Sequence, residues 1–153
     1  MTRISDPHFA ERVRASFALQ QAMALIRATL AVVEHGRTEI HLPHWTGVEQ
    51  QHGFVHGGVV GMIADSAAGY AAMTMVPAAA SVLTVEYKMN LMAPADGDRL
   101  VARGRVIRAG RTLIVTQGEV FAVKDGRKTQ CALMQQTVMV MHGKPEKSQG
   151  AKP

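Results

Sequence analysis

Few side chains in the middle of this chain can do chemistry, and they lie close together. Between Gly53 and Ala80 the only groups that titrate near neutrality are His56 and Asp65, and His56 is followed directly by Gly57 and Gly58. Two glycines at a helix start let a ligand approach the backbone closely. The free N–H groups and the positive helix end there suit an oxyanion, although a bare turn also uses such a pair. His56 either takes part in chemistry or holds the turn. Asp65 lies in a run otherwise made of Gly, Ala, Val, Met, Ile and similar residues. A carboxylate in such surroundings needs a reason. It is a hydrogen-bonded structural group, one that meets solvent through a gap, or a base or nucleophile.

These groups depend on the element that carries them. Residues from Gly57 to about Thr74 read as one helix, ended by Pro77 and three alanines. A helix apolar all round is a buried helix, and Gly61, Ala64, Ala67, Ala68, Gly69, Ala71 and Ala72 make this one thin enough for a sheet to wrap closely. Its length would suffice for a bilayer. Asp65 at mid-span, however, costs about 2.5–3.5 kcal/mol on insertion scales, and the flanks lack basic anchors, so the helix is expected inside a protein.

Upstream, Ser5-Asp6-Pro7 reads as a helix start, with a helical stripe of Phe9, Val13, Phe17 and Leu19 or Gln20 between His8 and about Met23. Thr29–Glu34 and Arg37–Leu42 read as strands joined at His35-Gly36, and Pro43–Gly53 as a loop. Downstream, Ser81–Met92, Arg99–Arg108, Thr112–Lys124 and Thr129–Met141 read as four strands in meander-like succession, broken at Pro94–Asp98, Ala109–Arg111 and Asp125–Arg127. In the second of these, Arg99, Arg103 and Arg105 share one face with Val101 and Ile107, while Leu100, Ala102, Gly104 and Val106 share the other. The expected fold is α+β, an antiparallel sheet with one face on the helix and one in water. The chain divides into an N-terminal helical segment (1–27), a single domain (28–141) and a tail (142–153) whose Gly, Lys, Pro, Glu and Ser content predicts disorder.

The run from Gln50 to Ala71 resembles the signature of the PaaI-like branch of hotdog-fold thioesterases. In that family a Gln or Asn precedes a His-Gly-Gly helix start, and an acid follows nine residues after the histidine; Gln50, His56-Gly57-Gly58 and Asp65 stand at those places. Val85–Ala95 resembles the family's following strand and Pro-Ala turn, and Arg108–Thr112 its glycine-arginine turn. The likeness covers roughly residues 33–141. It implies a hotdog fold and hydrolysis of an acyl-CoA thioester to free acid and CoA, with no cofactor beyond the coenzyme A of the substrate. By position, Gly57 N–H receives the carbonyl oxygen and Asp65 attacks or activates water. Gln50 orients, His56 positions the loop or assists the leaving thiolate, and Thr84 lies near the carboxylate. Arg111, with Gly110 and Arg108, is the expected landing place for the phosphates of coenzyme A.

At about 1.5 Å of rise per residue, Gly57 and Asp65 are roughly 12 Å apart along the axis, whereas reacting atoms need about 3–3.5 Å. One chain cannot bring both to one carbonyl; two antiparallel helices related by a two-fold can. The resemblance likewise implies a homodimer with composite sites, pairing further into a homotetramer.

The bulk properties bound the alternatives. The 153 residues carry a net charge of +5 and one cysteine, Cys131. A lone cysteine forms no internal disulfide and suits a reducing cytoplasm, and Arg3, Asp6, Glu11, Arg12 and Arg14 would interrupt the apolar core of a secretory signal. Between Glu86 and Lys128, nine Lys/Arg against five Asp/Glu leave +4, which is either a solvated face or a site for an anion. Aromatic residues make up 5% and offer no stacking platform for nucleic acid. His41, His44 and His52 lack metal-ligand spacing, so no metal is expected. Met62, Met73, Met89, Met92 and Met134 are core filler or an adaptable pocket lining. The rival functions are a non-catalytic acyl-CoA-binding hotdog module and a hotdog hydratase or dehydratase.

Overall fold

The computed structural model describes residues 6–146. Ser5 of the expected helix start and the tail from 147 onward lie outside them. Two short helices, α1 (Phe9–Leu19) and α2 (Gln21–Leu25), precede the hairpin of β1 (Thr29–Glu34) and β2 (Arg37–Pro43). Gly36 turns that hairpin with a φ of 78°, a conformation that disfavours side chains. A single 3-10 turn (Thr46–Val48) interrupts the loop before α3 (Gly57–Met73). Strands β3 (Ser81–Leu91), β4 (Arg99–Ala109), β5 (Leu113–Lys124) and β6 (Arg127–Met141) complete the chain.

The six strands form one antiparallel sheet in the order β1-β2-β4-β5-β6-β3. The expected succession therefore holds only for β4, β5 and β6. Strand β3 crosses to the far edge and pairs with β6, and β2 takes the place beside β4. This arrangement lets β2, β4 and β5 lie across α3, with Ile40, Leu42, Leu100, Ala102, Val120 and Ala122 buried against its alanines.

The close approach rests on two glycines. Gly104 and Gly118 sit directly opposite each other on β4 and β5. A Cβ on Gly104 would lie 2.1 Å from the Ala67 carbonyl oxygen, and one on Gly118 3.1 Å from that of Ala64. The helix thus rides in a notch that Gly104 must leave open, while Gly118 makes a tight contact that a small shift would relieve. Thr38 on β2 adds a buried hydrogen bond of 2.6 Å to the Ala67 carbonyl.

The N-terminal stretch is not the one long helix expected from His8 to Met23. It breaks at Gln20, whose ψ is 92°, and the bend sends the two halves to different partners. Val13 and Phe17 pack on Tyr70 of α3, while Met23 and Ile26 reach the main core. Arg12 ties α1 to the end of α3 and the chain leaving it, donating to the carbonyls of Met73 (3.1 Å) and Val76 (2.9 Å). Asp6 holds that guanidinium at 2.7 Å. Burial raises the Asp6 pKa, but the His8 N–H and Arg12 outweigh it, and the net shift is downward.

Candidate active site

The start of α3 is built by His56. Its backbone (φ −58°, ψ 134°) is extended, and its Nδ1 accepts the Gly58 N–H at 2.8 Å, a side-chain N-cap. Its own N–H donates to the Val48 carbonyl at 2.9 Å, which locks the helix start to the preceding loop. The ring is exposed. Of the two roles open to His56, holding the turn is the one its geometry displays. The cap consumes the Gly58 N–H, and the Val59 and Val60 N–H groups go to the His56 carbonyl. The Gly57 N–H, at the first helical position, has no partner among the described residues. It opens on a cleft of about 370 Å³ lined by Gln50, Phe54, Leu91, Met92 and Cys131. Gln50 Oε1 accepts the His52 N–H, so its amide nitrogen remains available to that cleft.

Asp65 faces a different cleft, about 340 Å³, lined by Gln20, Ser66, Tyr70, Thr84 and Glu146 among others. It is half-buried. Its Oδ1 accepts from the Thr84 hydroxyl at 2.8 Å and from the Gln136 amide. Gln136 Nε2 also lies 3.1 Å from Thr84 Oγ1, and its Oε1 accepts from the Thr116 hydroxyl at 2.9 Å. Two strands thus hold one oxygen of one carboxylate, a third fixes Gln136, and no hydrogen bond occupies Oδ2 among the described residues. Thr84 stands beside the carboxylate as the resemblance implied. Gln136 and Gln20 were not anticipated. Gln136 was nonetheless detectable: along β6 it shares parity with the buried Ala132, Met134, Val138 and Val140, so an amide there points inward.

Within one chain, Gly57 and Gln50 therefore share one cleft while Asp65 and Thr84 share another. The exposed face of α3 links them. Gly58, Met62, Asp65 and Gly69 follow one another at helical spacing and, with Gly57 and Val59 of the first turn, are the residues of that helix left uncovered.

Arg108, Gly110 and Arg111 lie where β4 turns into β5. Gly110 N–H closes the turn on the Leu113 carbonyl at 2.9 Å, and His142 Nε2 donates to the Arg111 carbonyl at 2.7 Å. Both arginines are exposed and form no ion pair among the described residues. Register puts this turn at the Asp65 end of the sheet: Ile114 faces Val138, which in turn faces Thr84. Other bases of the stretch are engaged, Arg103 by Glu39 at 3.0 Å and Lys124 by Asp96 at 2.7 Å. His41 turns to Glu39, and His44 to the Gly97 carbonyl and Glu49. Of the methionines, Met73 and Met134 are core, Met62 and Met89 flank it, and Met92 is exposed at the Gly57 cleft.

Comparison with known proteins places this geometry. Residues 52–129 match the model of the thioesterase superfamily. The chain is 41% identical to a thioesterase family protein from Silicibacter pomeroyi, whose crystal structure superposes with a TM-score of 0.87 over 88% of this chain and 99% of that one. The Escherichia coli PaaI protein of the phenylacetic acid degradation operon has the same fold, with a TM-score of 0.81 at 17% identity over 94% of this chain and all of that one. A "Putative esterase" of Saccharolobus solfataricus is 33% identical over 95 residues, 62% of this chain and 66% of that protein. A second, from Halobacterium salinarum, is matched over 49% of its length, so the chain spans two thirds or less of these two relatives. The family model, the identity across a whole solved domain and the sheet wrapped on α3 agree: this chain belongs to the thioesterase superfamily and has the hotdog fold.

Proposed function

We propose that the protein hydrolyses acyl-CoA thioesters in two composite sites of a homodimer. The observation that carries this reading is Asp65, a carboxylate held at one oxygen by buried donors and left open at the other. In the proposed reaction the thioester carbonyl oxygen accepts the Gly57 N–H. Water adds to the carbonyl carbon as its proton passes to Asp65 Oδ2. Collapse breaks the C–S bond, and the proton returns to the departing CoA thiolate, leaving the free acid. Gln50 orients the carbonyl or water from the Gly57 side. Arg111 and Arg108, free at the β4–β5 turn, receive the phosphates of coenzyme A.

The dimer is supported by the sheet's edge. Strand β3 is unpaired on its outer side over eleven residues and exposes Leu83 (59%), Tyr87 (50%) and Leu91 (58%). Such an edge invites a partner strand. Leu91 lies beside Gly57 and Thr84 beside Asp65. A two-fold axis near Tyr87 and Lys88 would set Leu91 against the partner's Thr84, and with it Gly57 against the partner's Asp65. The same axis passes Gly61, halfway between the two on α3, which packs on Met89 and Tyr87. Exposed Ile107 and Leu113 elsewhere on the sheet offer apolar area to a dimer of dimers. No helix among the described residues is long and apolar enough to cross a membrane, and the single buried Cys131 suits a reducing cytoplasm. Thiol release from short, medium, long and aromatic acyl-CoAs tests the function. Turnover of at least one class is expected; tight binding of acyl-CoA without release of thiol would make the protein a binding module instead.

A further inference from the structure

The Asp65 carboxylate is held by a relay that reaches two residues beyond it, and we infer that Gln136, fixed by Thr116, is a positioning residue that reserves Oδ2 of Asp65 for the reaction. The inference rests on Asp65 being the reacting carboxylate.

Gln136 is 1% exposed and Thr116 fully buried. They face each other directly across β5 and β6, on the side of the sheet that covers α3. Every other inward side chain of β6 there is apolar, so an amide at this place needs a purpose. Its two ends are not interchangeable. The Thr116 hydroxyl lies 2.9 Å from Oε1, while Nε2 meets Asp65 Oδ1 and Thr84 Oγ1. Turned over, the amide would set its oxygen against the carboxylate oxygen, acceptor against acceptor. Thr84 already gives its proton to Asp65, so the relay closes in one sense only: Thr116 to Gln136, and Gln136 with Thr84 to Oδ1. No buried side-chain polar atom is left without a partner among the described residues. The consequence is directional. Oδ1 is saturated by donors from β3 and β6, and Oδ2 is the oxygen left to meet water or substrate. The other groups in the cleft that could titrate are Tyr70 on the same helix and Glu146 beyond β6. The strands β3, β5 and β6 present Thr84, Thr116 and Gln136, and the α1–α2 junction presents Gln20, none of which titrates.

The test uses the full-length protein and four variants, with kcat, KM and the pH dependence of kcat/KM on a working acyl-CoA. Gln136→Leu should lower kcat by about tenfold to a hundredfold, the range for removing an outer partner that orients a reacting group, with KM changed less than about threefold. Gln136→Glu puts a second carboxylate on Oδ1, and like charges sharing a site raise one pKa strongly. The acid limb of its profile should move up by more than about one pH unit, an effect that a merely structural role would not produce. Thr116→Val/Gln136→Leu removes both partners at once, which leaves no buried polar group orphaned and can be nearly neutral for stability. It should fold as well as the parent and remain slow. Wild-type kcat and an unmoved acid limb in the folded Gln136 variants would overturn the inference. Asp65→Asn separates the two claims: if it too stays active, the reading of Asp65 fails, and if it alone is dead, only the relay fails.

Discussion

Replacing Gly104 by alanine should separate the helix from the sheet and lower the proposed activity at the same time. The new Cβ would stand 2.1 Å from the Ala67 oxygen, 2.2 Å from its carbon and 2.5 Å from Ala68 N. Ordinary C···O approach is about 3.3–3.6 Å, so α3 must retreat by about 1 Å. The obstacle is helix backbone, which cannot rotate away. Overpacking of this kind costs about 1–3 kcal/mol, and stretching the Thr38–Ala67 bond adds about 1 kcal/mol. The smaller conformational freedom of alanine in the unfolded chain returns about 0.4–1 kcal/mol. The net loss is about 1–3.6 kcal/mol, or about 2–14 °C in Tm for a domain of this size. Asp65 lies two residues before Ala67, so the retreat also draws it off Thr84 and Gln136. A 1 Å misplacement can lower a rate by about a hundredfold. Gly118→Ala is the control, because its Cβ would lie 3.1 Å from the Ala64 oxygen, and a small adjustment accommodates it at less than about 1 kcal/mol. Urea titration and steady-state kinetics on both variants measure the difference. If Gly104→Ala and Gly118→Ala lose equal stability and activity, the notch is not what seats the helix.

Three further outcomes follow from the same geometry. Asp65→Asn keeps the shape and removes the charge, so kcat should fall at least about a thousandfold with the far-UV spectrum unchanged; a kcat within tenfold of the parent would remove Asp65 from the reaction. Arg111→Ala should raise KM for acyl-CoA by about tenfold and leave KM for a short thioester without the nucleotide unchanged, and equal effects on both would make Arg111 structural. Asp6 has a folded pKa below its ordinary value of about 3.9, so its contribution to stability is present above that value and disappears as pH falls through the folded pKa. Asp6→Asn should therefore be less stable than the parent at pH 7, with the gap closing below about pH 4; a gap independent of pH would place the loss in packing.

The parts of the fold legible in the sequence are those set by local pattern. The apolar run from Gly57 with its single Asp65 fixed α3 almost to the residue, and the β-branched runs with their turn glycines fixed each strand within a few residues. The position of β3 was not legible, because which strand it joins depends on the crossover around α3 and leaves no mark on its own alternation. The break at Gln20 was hidden because both halves of the N-terminal stretch keep a helical period and differ only in what they bury. At the candidate site, the spacing from His56 to Asp65 was legible, but the partners of the carboxylate come from β3 and β6, 19 and 71 residues away. Thr84 was reachable through family likeness alone. Gln136 was legible in principle, since a glutamine on the buried parity of an apolar strand must find a partner, though the sequence does not say which.

Subunit mixing tests most directly the claim that each site is shared between two chains. Asp65→Asn disables one half-site. Gly57→Pro disables the other by deleting the N–H, and the structure makes it tolerable. Proline suits the first helical position, the extended His56 before it has the ψ of 134° that a proline requires, and an added Cβ would meet only the flexible tip of Leu91, at 2.9 Å. Each variant alone should be nearly inactive. In a mixed dimer one composite site collects both lesions and the other none, so activity should return to about half the parent value per heterodimer. No recovery, with subunit exchange demonstrated by mass spectrometry, would mean that one chain builds the whole site.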